Sequence, residues 1–154
     1  MTTAEKIIRE IAELREHMRT TYADGCPRFY TPHEMFAWLD CHAHPIQSAD
    51  TTRRFLVRVI AEWRQNGNVA QLHMGADALR EKLLDKNAKY GDSALSPVRI
   101  FSDAPADAAL RVRIDDKLSR LMRGSDAGED TIGDLAGYLV LLLIAMRDTA
   151  EVTA

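Results

Sequence analysis

Lys117 stands where an apolar side chain belongs. In RVRIDDKLSRLM, residues 111 to 122, a rotation of about 100° per residue aligns Leu110, Ile114, Leu118 and Leu121 along one side of a helix, and Lys117 falls inside that stripe. Upstream, with Leu79 at the centre of another stripe, Lys86 returns to within about 20° of it, Asn87 lies at its edge and Tyr90 beneath. An ammonium that faces a core needs an anion. Downstream, Asp130 and Asp134 share a helical face with Thr131, Tyr138 and Leu141, and carboxylates at this spacing can converge on one cation. Mg2+ and Mn2+ take such oxygen ligands and commonly share them with substrate phosphates.

These residues describe a pocket bounded by three helices. Lys86 and Lys117 can contact phosphate oxygens, Arg113 and Arg120 flank their helix's stripe as planar bidentate donors, and Asp130 with Asp134 can hold a metal. The set suits a triphosphate. A plainer account uses the same charges: the lysines pair with Asp130, Asp134 or Asp92 in a wet crevice without a ligand, since long lysine stems reach water from an inward Cα. Three helices making the same departure favour the functional account, because burying several charges with no return is energetically poor.

The elements that must position these groups read as an all-α bundle of about six helices. Ile7, Ile8, Ile11, Leu14 and Met18 repeat at helical spacing from about Thr3 to Tyr22, where DGCP breaks the pattern. Thr31, Pro32 and Glu34 form a capping box for a short second helix. Asp50 or Thr51 can cap a third, with Phe55, Val57, Ile60 and Trp63 as candidates for burial. The fourth starts between Asn68 and Ala76 and stops at Gly91, the fifth runs from Pro105 or Asp107 to Arg123, and the sixth from about Asp130 to Thr149. PVRIF, between them, could form a brief extended segment. The sixth helix is apolar on nearly all sides after its first turn, so it is expected to be buried at the centre.

At 154 residues the chain is the size of one domain, read here as 1–154 with an N-terminal helical part, 1–67, and a helical core, 68–150. A composition of 46% hydrophobic and 28% charged residues with a net charge of −3 argues against nonspecific nucleic-acid binding, though a local patch stays compatible with a nucleic-acid partner. Two cysteines make no disulfide framework, the N-terminus is charged and amphipathic, and the uncharged run Leu135 to Met146 is too short to span a bilayer. A cytoplasmic protein with no membrane partner is the expectation.

KNAKYGDS at 86 to 93, RIDDKLSRL at 113 to 121 and EDTIGDLAGYLVLLL at 129 to 143 together resemble the nucleotide modification associated domain of phage and bacterial proteins. The resemblance covers about Leu79 to Met146 in the family's motif order. It implies a role in nucleotide or DNA modification, and carried over by position it selects Lys86, Asn87, Tyr90, Gly91, Asp92, Ser93, Arg113, Lys117, Arg120, Asp130, Thr131, Asp134 and Tyr138. The same C-terminal stretch is remotely similar to the second acidic helix of all-α MazG-like nucleoside triphosphate pyrophosphohydrolases. Asp134 matches their final aspartate and Asp130 the first acidic position; Thr131 stands where an acidic ligand is expected, and LREKLLDKN replaces the first Glu-x-x-Glu helix. That likeness also implies a homo-oligomer.

The resulting expectation is a nucleotide-binding protein, as a metal-dependent nucleoside triphosphate pyrophosphohydrolase or as a non-catalytic nucleotide or nucleic-acid binder of a phage or bacterial modification system. In the hydrolase, Lys86, Lys117 and Asp134 are catalytic and Asp130 and Asp134 hold Mg2+ or Mn2+; Asn87, Tyr90, Asp92, Ser93, Arg113, Arg120 and Tyr138 bind the nucleotide or modified nucleotide. A purely structural interaction protein requires the inward charges to pair among themselves.

Three other motifs carry less. Gly91-Asp92-Ser93 resembles the nucleophile motif of certain esterases, but it ends a helix where a strand should precede it, and His73 is the last histidine of the chain. Cys26, His33, Cys41, His42 and His44 invite a zinc reading without the spacing of the usual fingers. Residues 31–66, with Arg53, Arg54 and Arg58, have a helix-turn-helix layout, but the connection is long for the tight turn and a solvated basic face explains the arginines.

Overall fold

The computed structural model describes residues 1–124 and 130–154 as six α-helices, with no strand among the described residues. Every described helix but the fifth starts where a side chain accepts from one of its first amides. In α1 (Thr3–Thr21), the Thr2 hydroxyl accepts from the Glu5 amide and the Glu5 carboxylate accepts from the Thr2 amide, a reciprocal box. In α2 (Pro32–Asp40), Thr31 accepts from the Glu34 amide, but the Glu34 carboxylate turns back one residue further, to the Tyr30 amide.

Helix α3 (Ala49–Trp63) begins earlier than its sequence suggests. Ser48 is the cap, accepting from the Thr51 amide at 3.2 Å, which leaves the Asp50 carboxylate to pair with Arg54 one turn on. Helix α4 (Val69–Tyr90) is capped by Asn68 and stopped by Gly91 at φ 63°, a left-handed conformation that a side chain disfavours. Pro105 precedes α5 (Ala106–Arg123), and Asp130 caps α6 (Thr131–Thr153) by accepting from the Gly133 amide. Nothing in the sequence after Thr149 breaks the helix, so α6 continues one turn beyond it.

Helix α6 packs against α1, α3, α4 and α5, and its Leu135, Ala136, Val140 and Ile144 are wholly removed from solvent. The same core holds Leu56, Val59 and Ile60 of α3, Ile7, Ile11 and Leu14 of α1, and Leu110 and Ile114 of α5. Helices α1 and α3 therefore belong to the same core as the C-terminal elements. Phe55, Val57 and Ile60 are buried as the spacing of α3 predicts, while Trp63 is half-buried. The 98–101 segment does not extend: Arg99 has φ 61°, outside the strand region, and Val98, Ile100 and Phe101 are exposed.

One acidic residue is sealed into this core. Glu10 of α1 is only 2% exposed, its carboxylate 3.0 Å from Arg147 of α6 and 4.0 Å from Arg53 of α3. Arg147 also grips both oxygens of Glu13, so one guanidinium ties two turns of α1 to the end of α6. No helix among the described residues is long and apolar enough to cross a membrane.

Candidate anion-binding cavity

Asp134, at the first turn of α6, gathers three lysines from two neighbouring helices. Its Oδ1 lies 2.9 Å from Lys86 Nζ and 3.1 Å from Lys82 Nζ, both on α4, and its Oδ2 lies 3.4 Å from Lys117 Nζ on α5. Lys117 is 8% exposed, as its place in the apolar stripe of α5 predicts. Lys86 is different. It continues the phase of Leu79 and Leu83, but α4 by then projects past the packed core, and its side chain is 47% exposed against 20% for Lys82.

Beside this cluster opens a cavity of about 390 Å³, walled by the end of α4, the turn after it, α6 and the start of α1. Lys82, Lys86, Arg113 and Asp134 line it with Asn87, Tyr90 and Tyr138. The Arg113 guanidinium sits 5.9 Å from the centre of the Tyr138 ring, within reach of a cation–π contact. Asp92 and Ser93 line the opposite lip, where the Asp92 carbonyl accepts from the Leu95 and Ser96 amides and so holds the turn closed. Asn87 lines the cavity, and its Oδ1 is buried without a hydrogen-bond partner.

Arg120 and Asp130 stand apart from this lining. Arg120 pairs with Asp116 at 3.3 Å on its own helix. Asp130 serves α6 as a cap and meets Lys82 at 3.1 Å. The Lys82 ammonium is thus 3.1 Å from a carboxylate oxygen of each aspartate, between the two groups that were expected to share a divalent ion. A metal bridging Asp130 and Asp134 requires Lys82 to withdraw, so the donor set as it stands fits an ammonium better than a resident metal. Among the described residues no three His, Cys, Asp or Glu side chains group as a metal site. Glu129, at the head of the acidic motif, lies outside the described residues.

Burial pushes the Asp134 carboxyl upward, and hydrogen bonds and charge from Lys86 and Lys82 outweigh it, so Asp134 titrates below the ordinary aspartate value. It is the ionised hub of the cluster. The close fit around it depends on Gly133, where a Cβ would lie 2.1 Å from Asp130 Oδ2 and 2.8 Å from Lys82 Nζ. Both are ends of side chains, so Gly133→Ala is expected to fold but to expel the Asp130 carboxylate. Losing that cap and ion pair should cost about 1–2 kcal/mol, read as a lower urea midpoint with unchanged slope.

Lys82 and the α1 wall escaped the sequence reading. Lys82 lies one turn before Lys86 and about 60° from the Leu79 stripe centre, a signal available in the spacing. Thr3 and Ile7 of α1 also line the cavity, more than seventy residues from the other wall, and no short-range pattern announces that.

The other motifs resolve into structure. His42 and His44 contact the backbone carbonyls of Trp38 and Leu39, Cys26 is buried, and Cys41 is exposed. Arg53 faces Glu10, Arg54 pairs with Asp50, and Arg58 packs over the Phe29 and Trp38 rings, so these arginines are engaged within the protein. No histidine is among the described residues lining the cavity beside Ser93.

No family model matches this chain, and neither a curated protein nor a solved structure matches it.

Proposed function

We propose that this protein binds a nucleotide, with its phosphates held at the Lys82–Lys86–Arg113 wall of the cavity and its base towards Asn87, Tyr90 and Tyr138. The observation that carries this reading is the convergence of lysines from α4 and α5 on a single carboxylate at the edge of a cavity of ligand size. Among the described lining residues, Lys82, Lys86 and Arg113 face Asp92 and Asp134, a surplus of one positive charge. Lys86, half in water, can turn from Asp134 to a phosphate at little desolvation cost. The Asn87 amide, on the cavity lining, is of a type that pairs with a base edge. The resemblance to the nucleotide modification associated domain supports the same theme, a role in nucleotide or DNA modification.

Binding, with Mg2+ or Mn2+ arriving on the triphosphate, fits this site better than a metal bridging the Asp130–Asp134 pair, because Lys82 already stands between those carboxylates. Hydrolysis to a monophosphate and pyrophosphate is the stronger form of the reading, with Asp134 as the cavity carboxylate that would serve it. The test is a panel of canonical and modified nucleoside triphosphates with Mg2+ or Mn2+, followed by thermal shift and by assay of both products. Stabilisation without turnover is the expected result. Lys86→Ala should weaken binding about tenfold with little change in stability, since its side chain is half exposed. Absence of stabilisation across the panel refutes nucleotide binding, and pyrophosphate release lost in Asp134→Asn replaces the binder with the hydrolase.

A further inference from the structure

A second cavity, of about 360 Å³, lies on another face, between α2, α3, α5 and α6. Its walls are largely apolar, with Leu39, Phe55, Ile114, Leu118 and Leu142 among them; Arg111 lines it too, donating to the Ile46 carbonyl, and the exposed carboxylates Asp40 and Asp115 leave the charged lining one negative charge in excess. Elsewhere, the connection from α4 to α5, which also carries Asp92 and Asp103, projects a short apolar run. Val98, Ile100 and Phe101 are 82%, 78% and 103% exposed, with Arg99 among them. Apolar side chains this exposed in consecutive positions form a patch, unlike the scattered exposure common on monomer surfaces.

We propose that Ile100 and Phe101 of one copy of this chain seat in the apolar cavity of a second copy, with Arg99 against the Asp40 and Asp115 rim. By volume the cavity has room for an isoleucine and a phenylalanine side chain together, and Arg99 would meet a lining in which two carboxylates outnumber Arg111. Every copy carries both plug and socket, and in a two-fold pair the contact would be made twice. Contacts built on two apolar side chains apiece stand at the low end for specific association, so a weak dimer is expected.

Sedimentation velocity of the full chain from about 1 µM to about 200 µM tests this. The expected result is a monomer–dimer equilibrium that Phe101→Asp abolishes, with helical content unchanged, and Tm unchanged at concentrations where the wild type is monomeric, because the loop position is solvent-exposed. Arg99→Glu and Asp115→Arg should each weaken the dimer about tenfold, and the two changes in one chain should restore it. A monomer throughout the range overturns the proposal, whether the plug is free, folds onto its own socket or serves a different protein. A dimer that survives Phe101→Asp overturns it too. One lost in Phe101→Asp but indifferent to Asp115→Arg moves the socket elsewhere and overturns the assignment made here.

Discussion

Arg147→Ala is expected to lower the unfolding free energy by about 3 kcal/mol near neutral pH, because it strips the closest cation from a carboxylate buried in the core. Glu10 would keep only Arg53, at 4.0 Å, against a desolvation cost that the packing of α1 on α6 does not relieve. The pH dependence identifies the cause. Burial pushes Glu10 above the ordinary glutamate value, and the opposing charge of Arg147 limits the rise. Without that guanidinium the folded-state value climbs further. A carboxyl whose folded pKa is raised contributes stability that is full below its unfolded value of 4.5 and is lost as pH rises through the folded value. The Glu13 carboxyl, held low by its hydrogen bonds from Arg147, adds stability that acid removes and the variant never has. The deficit of Arg147→Ala should therefore be largest near pH 7 and shrink at about pH 4, as read by urea unfolding at both. An equal deficit at both pH values would show that lost packing, and not charge, is responsible. Arg147→Lys should recover part of it through charge alone.

Asp134→Asn should cost about 2 kcal/mol, somewhat less because its carboxylate retains partial access to water. The variant keeps the shape of the side chain and removes the charge that Lys82, Lys86 and Lys117 share. Asp134 is held below its ordinary value of 3.8, so its stabilisation is present above that value and disappears as pH falls through the folded one. The wild-type protein should lose this increment only in that acid window, and the variant should lack it at every pH. The nucleotide reading adds a second consequence. With the resident carboxylate neutralised, an added polyphosphate can take its place among the lysines, so tripolyphosphate should raise the Tm of Asp134→Asn more than that of the wild type. An equal or smaller rise would mean that the lysines do not face the cavity as phosphate donors.

Helical periodicity made much of this legible in the chain. The cap at Thr31, the stop at Gly91 and the inward Lys117 follow from local spacing, because helix starts, helix stops and side-chain phase are set within a few residues. The pairing of lysines with Asp134 was one of two readings the sequence left open. Local patterns could say that charges turned inward but not whether they met one another, a ligand or both.

Tertiary packing decided the rest. Lys86 keeps its helical phase yet ends half in water because α4 outruns its neighbours, while Lys82, off the stripe, reaches both aspartates. Asp130 was legible as one of two paired carboxylates, but packing put an ammonium between them. Thr3 and Ile7 close the cavity from the far end of the chain, and Arg147 finds Glu10 across more than a hundred residues. Residue type and phase fix which way a side chain leaves its own helix. Which groups it then meets depends on how far each helix extends and where its neighbours lie, and those are properties of the assembled bundle.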